Sequence, residues 1–174
     1  MSHAARQLAF INLAHGFTHY CLLILRTAVL AMVLMPGGPF GDDYELILPL
    51  ATGGFVLYGL LSLPQGWLAA RVGRHNLMTA FFLGAGLSMI GTGFAPSPLW
   101  LAIALAATGA FAAIYHPIGT ALLVEVAGDK PGQAIGLNGV FGNIGVAMAP
   151  MLTAFIAFRW GWHWAFILPG VLCT

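Results

Sequence analysis

The chain has 174 residues, 60% of them hydrophobic and 6% charged, with a mean hydropathy of +0.91 and a formal net charge of +1. Soluble domains carry about 25% charged residues, so this composition excludes a water-soluble globule and fits a chain solvated by lipid. The small net charge gives no electrostatic case for a nucleic-acid partner. The two cysteines, Cys21 and Cys173, sit in apolar runs and suggest neither a disulfide framework nor a zinc site.

A spanning helix needs about 20 mainly apolar residues. Residues 8–34 form the first such run, too long for a signal-peptide core of about 7–15 residues. It holds Asn12, His15, His19 and Arg26. At about 100° per residue, with His15 as zero, His19 falls at about 40°, Arg26 at about 20° and Asn12 at about 60°. The four therefore share one stripe. Polar groups facing lipid are costly, so the stripe is expected to line a water-filled pathway or, in the alternative, to bond across to other helices. Arg26 is near enough to the outer end of the run to snorkel toward that interface.

The second run, 44–70, places Tyr58, Ser62 and Gln65 within about 60° of one another. They are candidates for the same cavity or for bonds to neighbouring helices. A short basic, glycine-punctuated turn follows at 66–75, and the third run occupies 77–95. The fourth run, 99–124, carries Tyr115-His116-Pro117. Proline inside a helix kinks the axis and frees a carbonyl, a break tolerated where a cavity or a neighbour satisfies the backbone. His116, with Tyr115 beside it, is thus a candidate cavity residue; the alternative is a kink with a histidine bonded to a backbone carbonyl.

The fifth run, 132–158, has glycine at 136, 139, 142 and 145, followed by Ala149-Pro150. Small residues let another helix backbone approach closely, and Asn138 and Asn143 can bond across helices. A sixth run begins near 161 and reaches Thr174. At about 1.5 Å per residue it covers about 21 Å, short of a hydrocarbon core about 30 Å thick. The expected fold is an all-α membrane bundle of five complete transmembrane helices and a truncated sixth, one domain over residues 1–174.

The connecting loops are short: 36–43, 71–76, 96–98, 125–131 and 159–160. With the N-terminus inside, Arg6, Arg71, Arg74 and Lys130 face the cytoplasm and Arg159 alone lies in an outer loop, as the positive-inside rule prefers. Asp42, Asp43 and Glu45 then fall outside. Trp100, Trp160, Trp162 and Trp164 are expected in the outer aromatic belt and Trp67 in the inner one.

The turn carried by Gly66, Arg71, Gly73 and Arg74 resembles the signature turn between the second and third helices of major facilitator superfamily transporters. That resemblance implies a cytoplasmic gating turn, although Ala70 stands where the family usually has an aspartate. The fifth run is similar to the family's antiporter motif. Gly136, Gly145 and Pro150 fit, while Ala149 and Thr153 replace glycines. This implies close helix packing and an exporter or antiporter. The arginine that many proton-coupled members carry in the fourth helix is Leu105 here, so His15, His19 and His116 are expected to carry protons in its place. Residues 115–145 resemble bacterial members of the fosmidomycin-resistance type, which implies a bacterial inner membrane. Members normally have twelve helices. The resemblance therefore implies an N-terminal half, completed by a missing C-terminal half or a second copy.

The leading reading is a secondary transporter moving a small solute by alternating access, with no cofactor. A second is a non-transporting truncated fragment or structural subunit. A third is a membrane redox or metal protein ligated by the histidines. No nucleophile elbow, Walker loop or zinc-peptidase helix occurs, so enzyme chemistry and ATP-driven transport are not expected.

Overall fold

The computed structural model describes residues 2–34, 40 and 43–174. Asp42 and most of the predicted loop 36–43 lie outside the described residues. Among those described, every regular element is helical. Helix α1, His3–Leu34, is unbroken for 32 residues, about 48 Å, and forms the axis of the bundle.

The second run is not one helix. It is built from α2 (Tyr44–Ile47), a 3-10 turn (Leu48–Ala51), α3 (Thr52–Ser62) and α4 (Gln65–Val72). The Asp43 side chain caps α2, its Oδ1 accepting from the Glu45 amide at 2.8 Å. Pro64 makes the break before α4. It has no N–H for the Leu60 carbonyl, and the Leu63 amide takes that oxygen at 3.3 Å instead.

Helix α5 (Arg74–Gly93) is the third run. The fourth divides into α6 (Pro98–Ala112) and α7 (Tyr115–Ala127), with Pro117 in the first turn of α7, where it has no N–H to give to the preceding turn. Ala113 and Ile114 between them keep right-handed helical backbone, so the predicted kink takes the form of a local interruption within one span, Pro98–Ala127. Helix α8 (Pro131–Trp160) runs through Pro150 for 30 residues, and α9 (Trp162–Cys173) follows. Gly73 at φ 88° and Gly161 at φ 100° join α4 to α5 and α8 to α9, a conformation that side chains with a Cβ avoid. Among the described residues, five segments are long and apolar enough to cross a membrane: α1, Tyr44–Ser62, α5, Pro98–Ala127 and α8.

Lipid supplies no hydrophobic drive between helices, so association rests on close packing and interhelical hydrogen bonds. Three pairs pack backbone to backbone, α1 on α8, α3 on α6 and α5 on α9, each seated by glycine. A methyl on Gly145 would collide with the Gly16 carbonyl, and one on Gly109 with that of Gly54. One on Gly86 would stand 2.7 Å from the Gly170 oxygen. Leu105, the position lacking the family's arginine, is buried, and its carbonyl lies 2.6 Å from where a Gly54 methyl would be. Gly136 has no helix packed against it among the described residues. It is exposed, and a methyl there would meet nothing within 4 Å. The glycine pattern is spread round α8 too widely for all of it to face one partner.

Trp162, expected in the outer aromatic belt, is buried at the start of α9, stacked on His163 at 3.8 Å and set edge-on to Phe40. Trp67, Trp100, Trp160 and Trp164 are exposed.

The break at Pro117 leaves the Ala113 carbonyl without its helical donor. Ser62 of α3 meets it: Oγ lies 3.2 Å from Ala113 O and 2.7 Å from Tyr58 O, its single proton serving either. Ser62→Ala is expected to lower the melting temperature in detergent, and to do so much less in a Pro117→Ala background, where residue 117 regains an N–H. Equal losses in both backgrounds would mean that the hydroxyl serves Tyr58 alone.

Candidate functional site

His15 and His19 lie one turn apart, on either side of the midpoint of α1. The apolar core divides around them. One cluster gathers Ile11, Ala14, Phe81, Ile114 and Leu123, and the other Ile24, Leu25, Met89, Leu101 and Phe166. A polar layer fills the level between.

The His15 Nδ1 is 2.7 Å from the backbone oxygen of Asn138 on α8. A carbonyl only accepts, so Nδ1 donates and Nε2 keeps its lone pair. His19 Nε2, 3.1 Å from His15 Nε2, must then be the donor of that pair. His116 completes the layer from the first turn of α7, its ring 5.1 Å from His15 and 5.4 Å from His19 between centroids. Tyr58 of α3 sets its ring 6.0 Å from His116, and Tyr115 stacks on His15 at 5.2 Å. The three histidines are half-buried. Gly142 makes room for them: a methyl there would stand 2.7 Å from His15 Cε1.

A fully buried network supports this layer. The Asn138 amide donates at 2.9 Å to both Asn12 Oδ1 and the Tyr115 hydroxyl. Tyr115 in turn donates to the Ile11 carbonyl at 2.9 Å. Three helices, α1, α7 and α8, are thereby tied at one level. Within the first stripe, Asn12 bonds across to Asn138 of α8, while His15 and His19 are half-buried.

The other predicted residues lie elsewhere. Arg26 shares the His15 face but is about 16 Å farther along the axis, exposed, with its guanidinium 5.5 Å from the Phe55 ring. Gln65 is buried beyond the Pro64 break, donating to Leu61 O at 2.8 Å and leaving Oε1 without a partner. Asn143 is exposed and lies about 140° round α8 from Asn138. Ala149 is buried and Pro150 exposed.

At the end of the bundle that holds the basic turn, Arg74 pairs with Glu125 at 2.7 Å, and Arg71 lies over the Trp67 ring at 3.6 Å. Glu125 thus joins the start of the third span to the end of the fourth, although Ala70 supplies no carboxylate. Both partners are exposed, so the pair is worth about 0.2–1 kcal/mol. Spacing could not have identified Glu125, because it and Arg74 are 51 residues apart.

The sequence profile of the Major Facilitator Superfamily matches residues 9–174. Among curated proteins, the chain is 34% identical over 91 residues to the uncharacterized MFS-type transporter YfnC of Bacillus subtilis, covering 52% of this chain and 22% of that protein. It is 32% identical over 118 residues to the puromycin resistance protein pur8 of Streptomyces alboniger, 64% of this chain and 22% of that one. It is 26% identical over 176 residues to the niacin transporter NiaP of Acinetobacter baylyi, 92% of this chain and 39% of that one. The chain spans well under half the length of each of these relatives. It belongs to the major facilitator superfamily, and it is an integral membrane protein.

Proposed function

We propose that this member of the major facilitator superfamily forms one bundle of a gradient-driven transporter that exports a small solute past the histidine layer. The layer itself carries the reading. His15, His19, His116 and Tyr58, from three helices, stand partly accessible at the middle of α1 between two apolar clusters. Transporter sites lie near the membrane midplane, at the interface between repeated bundles. The second and fifth spans are only 17% and 28% buried, against 50% for the first and fourth. Their open faces are where a second bundle would close the pathway, whether from the rest of a longer chain or from a second copy.

Export and antiport are supported by the antiporter-like motif of α8, by the likeness to fosmidomycin-resistance proteins and by the relative named for puromycin resistance. The relative named as a niacin transporter makes uptake the alternative direction. The N-terminus is assigned to the cytoplasm, in a bacterial inner membrane, from the excess of Arg and Lys at the end of the bundle bearing Arg74.

The test is cysteine accessibility in membranes. His15→Cys and His19→Cys are expected to react with a water-soluble thiol reagent, whereas Leu13→Cys, exposed on another side of α1, stays unlabelled in lipid. The native Cys21 and Cys173 are buried and give a low background. Absence of labelling at 15 and 19 with and without a solute gradient would remove the pathway. A reporter fused after Arg74 is expected to read cytoplasmic, and a periplasmic signal would invert the topology.

A further inference from the structure

We infer that His15, His19 and His116 form a binding site for a divalent transition-metal ion of the zinc, cobalt or nickel class. One ring nitrogen from each can be chosen so that all three lie within 4.8 Å of one another. The site stands apart from the transport reading, because it needs only the imidazoles and their geometry.

Three features separate it from a chance meeting of histidines. The first is the nitrogen spacing. Two nitrogens bound at 2.0–2.1 Å to one tetrahedral ion are about 3.3 Å apart, and His15 Nε2 and His19 Nε2 are 3.1 Å apart already. The second is orientation. A ligating histidine usually donates its other ring N–H to a carbonyl or carboxylate. His15 makes that bond through Nδ1 to Asn138 O, which holds the Nε2 lone pair toward His19. The third is space. Gly142 has no side chain where a methyl would press on the His15 ring at 2.7–3.0 Å.

The donor set selects the ion. Imidazole nitrogens suit zinc, nickel, cobalt and copper, whereas calcium and magnesium require oxygen cages. Three protein ligands in a half-buried position leave a fourth place open to water, as in open zinc sites. Binding would cost the His15–His19 hydrogen bond. His19 moves its proton to Nδ1, and its Nε2 turns from donor to ligand. His116 closes the remaining gap by rotating from its edge-on position.

The probe is cobalt, titrated into tag-free full-length protein in detergent. One equivalent is expected to produce the visible bands of four-coordinate cobalt, and zinc to abolish them. His15→Ala, His19→Ala and His116→Ala are each expected to weaken binding about tenfold or more, while His75→Ala and His163→Ala, outside the cluster, leave it unchanged. Gly142→Ala should also weaken it with every ligand retained. Wild-type protein that shows no such bands at stoichiometric cobalt overturns the site, whatever the variants do. Bands that persist in the His15→Ala, His19→Ala, His116→Ala triple variant place the ion elsewhere and overturn it equally. Since none of these readouts involves transport or thiol labelling, the pathway stands or falls separately.

Discussion

Gly145→Val is expected to abolish the folded protein, while Gly136→Val on the same helix leaves it intact. Gly145 meets the backbone of Gly16, and Gly16 in turn lies against the Phe141 carbonyl, where a methyl would be 3.0 Å away. Main chain cannot turn aside as a flexible side chain can, so α1 and α8 must separate. Overpacking a core costs about 1–3 kcal/mol where side chains can yield, and occasionally more. Here the two helices that hold the histidine layer part along their shared seam. Gly136 is exposed and offers the control, since valine raises helix propensity by about the same few tenths of a kcal/mol at either position. Size-exclusion chromatography and thermal melts in detergent give the answer. Equal behaviour of the two variants would show that the seam does not hold the bundle.

Asn138→Leu is expected to be the next most damaging change, lowering stability by about 1–2 kcal/mol and the melting temperature by about 2–8 °C. Its amide is the donor to Asn12 Oδ1 and to Tyr115. Removing it strands a buried acceptor on α1 with no water to replace the lost bond. The companion Asn12→Leu, Asn138→Leu double variant should recover part of the loss, because removing both partners leaves neither stranded. His15 gives an internal check. It bonds to the Asn138 backbone oxygen, not to its side chain, so its ring should keep its place in Asn138→Leu. A double variant no more stable than the single one would mean that the network is not what Asn138 contributes.

Membership of the family and the helical membrane class were legible in the chain itself. Each depends on local quantities: span-length runs of apolar residues, rare charges at their ends and a basic glycine turn. The proline at 117 likewise announced a break, because a missing N–H acts on its own helix. The first-span stripe was legible as an angle, and its spread along the helix axis was a separate matter. Angular position round a helix says nothing of height, and Arg26 is about three turns from His15 and about two from His19.

What the tertiary structure decided are the meetings between helices. His116 reaches His15 and His19 because α7 packs against α1. Asn138 serves Asn12 across 126 residues of chain, and Glu125 finds Arg74 across 51. Of the fifth-span glycines, 142 and 145 face α1 and 136 faces nothing. A sequence states which residues are small or polar; which of them face one another depends on how far apart the helix axes lie and how they are turned. Those distances are set by the close glycine contacts of α1 with α8, α3 with α6 and α5 with α9, which exist only once the helices have packed.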